Sequence, residues 1–130
     1  MMDFRILVVD DEEEFRDVYG LILCDKGYDV QVAASGEECI EKMRKDSFEL
    51  VLTDLRMEGM NGIELLNNIK AHHEDCEVIV VTGYSTVESA VTAMKLGAFG
   101  YFIKGQDPEL LLKEIEKLVK MKKLEKENKN

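Results

Sequence analysis

Four short apolar runs in this chain end in polar residues of complementary chemistry. Ile6–Val9 runs into Asp10 and Asp11, Leu50–Thr53 into Asp54, Val78–Val81 into Thr82, and Gly100–Ile103 into Lys104. Three carboxylates brought to one place would repel. Two unit charges 4 Å apart cost roughly 4 kcal/mol at an effective dielectric of 20, so something must offset them. Mg²⁺ suits the task, because it takes six oxygens, keeps some waters, and is often held by one or two carboxylates and a phosphate. Lys104 would add a mobile positive charge able to pair with a phosphate oxygen, and Thr82 a hydroxyl donor. A nucleophilic oxygen, a metal, a cation and a hydrogen-bond donor are the parts of a phosphoryl-transfer site. A carboxylate nucleophile needs no base, since it is already ionised at neutral pH.

These residues meet only if the fold gathers them. Five short runs rich in Val, Ile, Leu or aromatics read as strands: Phe4–Val9, Tyr28–Ala33, Leu50–Thr53, Val78–Val81 and Gly100–Ile103. Amphipathic stretches lie between them. Glu13–Lys26 is expected to bury Phe15, Val18, Leu21 and Ile22. Ser35 is placed to cap a helix carrying Cys39, Ile40 and Met43, with Glu38 in capping-box position. Gly62–Ala71 offers Ile63, Leu66 and Ile69, and Thr86–Leu96 offers Val87, Ala90, Val91 and Met94 as a buried stripe. Pro108 suits the first turn of a last helix. Such alternation predicts a doubly wound (βα)5 fold of the flavodoxin-like α/β class, with a five-stranded parallel sheet. The first, third and fourth runs are continuously apolar, as strands buried on both faces are. The second alternates, as an edge strand does. Strand order 2-1-3-4-5 follows, and it puts the polar residues at the carboxyl ends beside the point where the order reverses.

With 130 residues the chain has the size of one domain. A net charge of −10 argues against this domain gripping nucleic acid. No secretory signal and no apolar run of membrane-spanning length is visible. Cys24, Cys39 and Cys76, with no C-x-x-C spacing, read as free thiols in a reducing cytoplasm. His72 and His73 are adjacent on a helix and share no face, so neither is assigned a metal. Met57 and Met60 are read as packing.

The segments Val8–Glu12, Thr53–Met57, Gly59–Gly62, Val81–Gly83, Gly97-Ala98 and Tyr101–Lys104, each in place after its own strand, resemble the receiver domain of bacterial two-component response regulators. The stretch from Val81 to Ala98 is similar to receivers of NtrC-type transcription activators. The resemblance implies that Asp54 accepts a phosphoryl group from a phosphohistidine on a sensor histidine kinase. It implies that Asp11 and Asp54 ligate Mg²⁺ with the backbone carbonyl of Arg56, and that Asp10 acts through a metal-bound water. Lys104 would contact the phosphoryl group, Thr82 would swing toward it, and Tyr101 would fill the space Thr82 leaves. The face made by the fourth helix, fifth strand and fifth helix would change in response. That face would engage an output domain, a protein partner or a second copy. The side chains of Arg56 and Tyr84 lie where similar domains tune hydrolysis of the acyl phosphate. A cytoplasmic phosphoacceptor that catalyses only its own phosphorylation and dephosphorylation is implied, rather than an enzyme.

Two positions depart from the family pattern. Gly105 follows Lys104 where proline, in a cis peptide, is usual, and a cis bond before a non-proline costs roughly 2.5–4 kcal/mol. The Lys104–Gly105 bond is therefore expected to be either trans with a rearranged loop or cis and strained. Glu58 follows Met57 where proline is usual, which loosens the loop after Asp54 and adds a carboxylate. Two rival functions stay open: a constitutive interaction domain of the same fold, and a metal-dependent phosphatase, whose D-x-D signature is absent. Residues 1–120 are expected to form the receiver domain, and 121–130 a helical extension or the start of a linker. A stripe of Leu118, Met121 and Leu124 leads into it, and a frayed, solvated end is the alternative.

Overall fold

The computed structural model describes residues 4–128. Strands β1 (Arg5–Val9), β2 (Asp29–Ala33), β3 (Leu50–Thr53), β4 (Glu77–Thr82) and β5 (Gly100–Ile103) alternate with helices α1 (Glu13–Asp25), α2 (Gly36–Lys45), α3 (Gly62–His72), α4 (Val87–Lys95) and α5 (Pro108–Asn128). All strand pairs are parallel, in the order β2-β1-β3-β4-β5. This is the expected α/β fold, sheet order and edge assignment.

Successive strand residues point to opposite faces, and the continuous apolar runs fill two cores. Leu7, Val9, Val51, Val78 and Val80 pack with Cys39, Met43, Leu65, Leu66, Ile69 and Ala93, from α2, α3 and α4. Ile6, Val8, Leu50, Leu52, Ile79 and Val81 pack with Tyr19 and Leu23 of α1 and Leu111, Leu112, Ile115 and Leu118 of α5. Burial also fixes the state of two thiols: Cys39 and Cys76 are both enclosed and pushed up to about 12, which keeps them protonated and unreactive.

Two helix faces differ from expectation. In α1 the buried stripe is Tyr19 and Leu23, with Phe15 and Ile22 packed beside it, whereas Val18 and Leu21 face solvent, Leu21 at 73 % exposure. Phe15, Tyr19, Ile22 and Leu23 follow the i, i+4, i+7, i+8 spacing of one face, and Val18 lies about 100° from Tyr19. In α4 only Ala93 is fully buried. Val87 is 83 % exposed, and Val91 and Met94 are about half exposed, so the predicted core stripe lies outside. Small residues, Ala90 and Ala93, let α4 approach the sheet instead.

Capping follows the sequence closely. Ser35 Oγ accepts from Glu38 N–H at 3.0 Å, while the Glu38 carboxylate reaches one residue further back, to Ala34 N–H at 2.9 Å. Asn61 and Glu64 close a reciprocal box at the start of α3. The loop from Asp54 to α3 is held from a neighbouring helix, because Glu37 Oε2 accepts from Met60 N–H at 3.1 Å. Glu58 thus sits in a tied loop. Helix α5 continues without a break through Asn128; Leu118 is buried, and Met121 and Leu124 are exposed. Lys122 Nζ donates to the carbonyl of Asp75, which ties this part of α5 to the turn before β4. Residues 1–3 and 129–130 of the two expected spans lie outside the described residues.

Gly62 is where the fold presses hardest on the loop carrying Asp54. A Cβ there would lie 2.1 Å from the backbone oxygen of Asp54 and 2.8 Å from Leu55 Cα. Backbone cannot give way as a flexible side chain can. Gly62→Ala is therefore expected to lower stability by about 1–3 kcal/mol, the usual cost of overpacking. Urea unfolding checks this, and an unchanged midpoint would show that the loop has slack.

Candidate functional site: an acidic rim around one lysine

The sheet places the polar residues by register. Val9 pairs with Thr53 across β1 and β3, so Asp10 and Asp54 leave adjacent strands side by side. Their backbones stay in line with the sheet: Asp10 N–H donates to the Ala33 carbonyl at 3.1 Å, and Asp54 N–H to the Val9 carbonyl at 3.2 Å. On β5, Lys104 N–H donates to the Thr82 carbonyl at 2.9 Å.

Lys104 reaches across this rim. Its Nζ lies 2.7 Å from Asp10 Oδ2, 2.8 Å from Asp54 Oδ2 and 2.6 Å from Glu12 Oε1. It also sits 4.3 Å from the centre of the Phe15 ring, a cation–π contact. Gly105 does not divert it. Among the described residues no peptide bond is cis, and Gly105 takes a φ of +92°, so the loop turns in a conformation that favours glycine. Of the two expected forms, the trans one is present.

Asp54 is almost fully enclosed. Its Oδ1 accepts from Leu55 N–H at 2.6 Å and weakly from Arg56 N–H at 3.4 Å. Asp10 is completely buried; Oδ1 accepts from Glu12 N–H at 2.9 Å. Its Oδ2 touches Lys104 but has no aligned hydrogen bond. Burial pushes the Asp10 carboxyl above its ordinary value, against the opposing pull of Lys104. Burial alone would lower Lys104, yet its carboxylate partners outweigh this and hold it well above its ordinary value. The two directions agree once the charges are counted: Lys104 gains from three carboxylates, while each carboxylate has a share of one ammonium.

Glu12 was not foreseen as part of this cluster. Oxygens of Asp10, Glu12 and Asp54 all lie within 4.8 Å of one another. Asp11 is exposed and lines the adjoining hollow, of about 590 Å³, together with Asp54, Arg56, Met57, Glu58 and Tyr84. Three consecutive acids, 10 to 12, were the signal. Which of them turns inward depends on the Asp10–Glu12 turn, which the sequence does not display. Arg56 stacks over the Tyr84 ring at 4.6 Å, so these two residues form one wall. Thr82 is buried at the rim, but its hydroxyl accepts from Tyr84 N–H at 3.1 Å rather than joining Asp54. Tyr101 stands apart from the carboxylates, packed on the core beneath α4.

The donor set is all oxygen, and one buried carboxylate oxygen lacks an aligned partner. That fits a hard divalent cation.

A model of the family described as the response regulator receiver domain matches residues 6–116. The chain belongs to this family. It is 43 % identical over 112 residues to the transcriptional regulatory protein ZraR of Escherichia coli K12, covering 86 % of this chain and 25 % of that protein. It is 32 % identical over 125 residues to a putative NtrX-like response regulator of Rickettsia bellii, covering 95 % of this chain and 26 % of that one. The receiver thus spans about a quarter of the length of these curated relatives. Among solved structures, a CheY-like receiver domain protein from Methanospirillum hungatei superposes with a TM-score of 0.89 at 34 % identity, covering 94 % of this chain and 98 % of that one. NtrX from Brucella abortus also gives 0.89, at 30 % identity, with 98 % of this chain and 29 % of that one covered. The family is not one of conventional enzymes. No described helix is long and apolar enough to cross a membrane.

The Asp10 carboxyl yields a pH test on the receiver. Its folded pKa lies above its ordinary 3.8, so ionised Asp10 opposes folding. Below pH 3.8 both states are protonated and no penalty exists. As pH rises through the folded pKa the penalty grows to its full size. Asp10→Asn should therefore be more stable than wild type at pH 7 in chelator, with the gain fading as pH falls toward 4. Thermal unfolding across pH checks this; a variant less stable than wild type at pH 7 would contradict it.

Proposed function

We propose that this domain is a Mg²⁺-dependent phosphoacceptor switch and that Asp54 is the accepting residue. The observation that carries the reading is the Asp54 side chain itself. It is held by two backbone N–H groups and an ammonium, at the floor of a hollow that opens to solvent. Asp10, Asp11, Asp54 and the backbone carbonyl of Arg56 would hold the metal, and the position of Glu12 recommends it as a further candidate. When bound, the ion would neutralise charge on the transferring phosphoryl oxygens.

The donor is a phosphohistidine of a sensor histidine kinase. An Asp54 oxygen forms a new P–O bond as the P–N bond breaks. The electron pair goes to the imidazole nitrogen, which takes up a proton. Lys104, already 2.8 Å from Asp54, would follow the added charge. Thr82 would exchange its bond to Tyr84 N–H for one to a phosphoryl oxygen, and Tyr101 would respond to that move. The Arg56–Tyr84 wall would control the approach of the hydrolytic water.

The receiver would occupy residues 1–120, with 121–130 leading toward an output domain in a cytoplasmic protein, in keeping with relatives named as transcriptional regulators. Exposed Val87, Val91, Met94 and Ile103 support the face of α4, β5 and α5 as the surface for that output, a partner or a second copy. Gly105 was the feature that favoured a constitutive, unphosphorylated domain. Lys104 standing at the cluster despite Gly105 speaks for the switch.

Incubation with Mg²⁺ and acetyl phosphate, followed by intact mass, tests the proposal. One acid- and base-labile phosphoryl adduct is expected, absent in Asp54→Asn. No adduct with metal binding intact would favour the constitutive domain, and steady turnover of unrelated phosphoesters would favour a phosphatase.

A further inference from the structure

Tyr101 is hydrogen-bonded to one side chain of α4. Its hydroxyl lies 2.8 Å from Ser89 Oγ. Ser89 occupies the third position of α4, where its N–H donates to Thr86 Oγ1 at 3.0 Å and its Oγ accepts from Thr86 N–H at 3.1 Å. The same Oγ donates to the Thr86 carbonyl at 3.0 Å. A serine hydroxyl has one proton and two lone pairs. With the proton on the Thr86 carbonyl and one lone pair on Thr86 N–H, the second lone pair is free to accept the Tyr101 proton. The Thr86 carbonyl also accepts from Ala90 N–H at 3.0 Å, so either hydroxyl can be the donor in the Ser89–Tyr101 bond.

The rest of α4 gives this bond weight. No side chain in its first turn and a half is fully buried, and Ala93 is the helix's one buried residue. Segments with few buried apolar contacts open most easily. Tyr101, by contrast, is anchored: its backbone pairs with Val80 inside the sheet and its ring packs on the core. The bond therefore joins a firmly seated strand residue to the loosely seated start of a helix. That helix presents Val87, Val91 and Met94 to solvent.

We propose that Ser89 is a positioning residue, and that the Ser89–Tyr101 hydrogen bond is the link through which Tyr101 places the first turn of α4 and its exposed apolar face. The proposal rests on the phosphoacceptor reading for its trigger, but the link itself exists without it.

Hydrogen–deuterium exchange and amide NMR on the full chain test both parts. Without ligand, Tyr101→Phe removes one end of the bond and leaves the Thr86–Ser89 cap intact. The amides of Ala90 and Val91 should then exchange roughly threefold to tenfold faster, the effect of one net hydrogen bond. Amides of α3 should not change. Ser89→Ala should do at least as much, Ser89→Thr should restore protection, and adding Tyr101→Phe to Ser89→Ala should add nothing. Unchanged exchange in Tyr101→Phe overturns the link. With Mg²⁺ and beryllofluoride, amides of Leu55, Thr82 and Lys104 should shift in every variant, while the shifts across Val87–Lys95 should fall by at least half in Tyr101→Phe and Ser89→Ala. A wild-type-sized α4 response in Tyr101→Phe overturns the role of the link. Absence of any shift near Asp54 in wild type would instead overturn the phosphoacceptor reading, and the exchange result would still decide whether the link exists.

Discussion

Three carboxylates share one ammonium at the carboxyl edge of this sheet, and that imbalance organises the site. Lys104 lies within 2.8 Å of an oxygen from each of Asp10, Glu12 and Asp54. Two negative charges remain uncompensated among these four groups. In water this would matter little, but Asp10 and Asp54 are buried, and burial makes an unpaired charge costly. The cores do not create this cost; they hold it in place. β1 from Ile6 and β3 from Leu50 are buried on both faces up to the residue before each acid, so neither acid can retreat from the other without breaking the sheet.

In the proposed function a divalent cation is the chemical answer to that imbalance, and it makes room for a transferred phosphoryl group. A cation supplies the missing charge. A phosphoryl group adds charge that the cation and Lys104 can share. In the proposed switch the event must be reported at a distance, and α4 is the element suited to do so. It is the helix with the fewest buried residues, its N-terminal turn is tied by a hydroxyl to Tyr101, and its outer face carries exposed Val87, Val91 and Met94. Segments with few buried contacts open most easily, and α4 buries fewer residues than α3.

Much of this was legible in the sequence, and the exceptions share a cause. Continuous against alternating apolar runs identified central and edge strands, and with them the meeting of Asp10, Asp54 and Lys104. Cap residues such as Ser35 were recognisable because capping is local chemistry. Periodicity, however, groups residues on a face without saying which face meets the core. Val87, Val91 and Met94 do share a face, and it points to solvent. Val18 and Leu21 lie on α1 beside the residues that do pack, Tyr19 and Leu23, but face solvent. The roles of Glu12 and Ser89 come from tertiary contacts, Glu12 with Lys104 and Ser89 with Tyr101; the run of acids 10 to 12 marks the place of Glu12 but not which acid turns inward.

The acidic rim is short of positive charge, and the proposed metal ion would complete it. Thermal unfolding of the chain against Mg²⁺ concentration tests it most directly, since a ligand that binds only the folded state raises the transition temperature as its concentration passes the dissociation constant. The expected result is a rise in wild type that continues with the logarithm of Mg²⁺ concentration, and its loss in Asp54→Ala. A wild-type transition that stays flat across millimolar Mg²⁺, or an equal rise in Asp54→Ala, would contradict it.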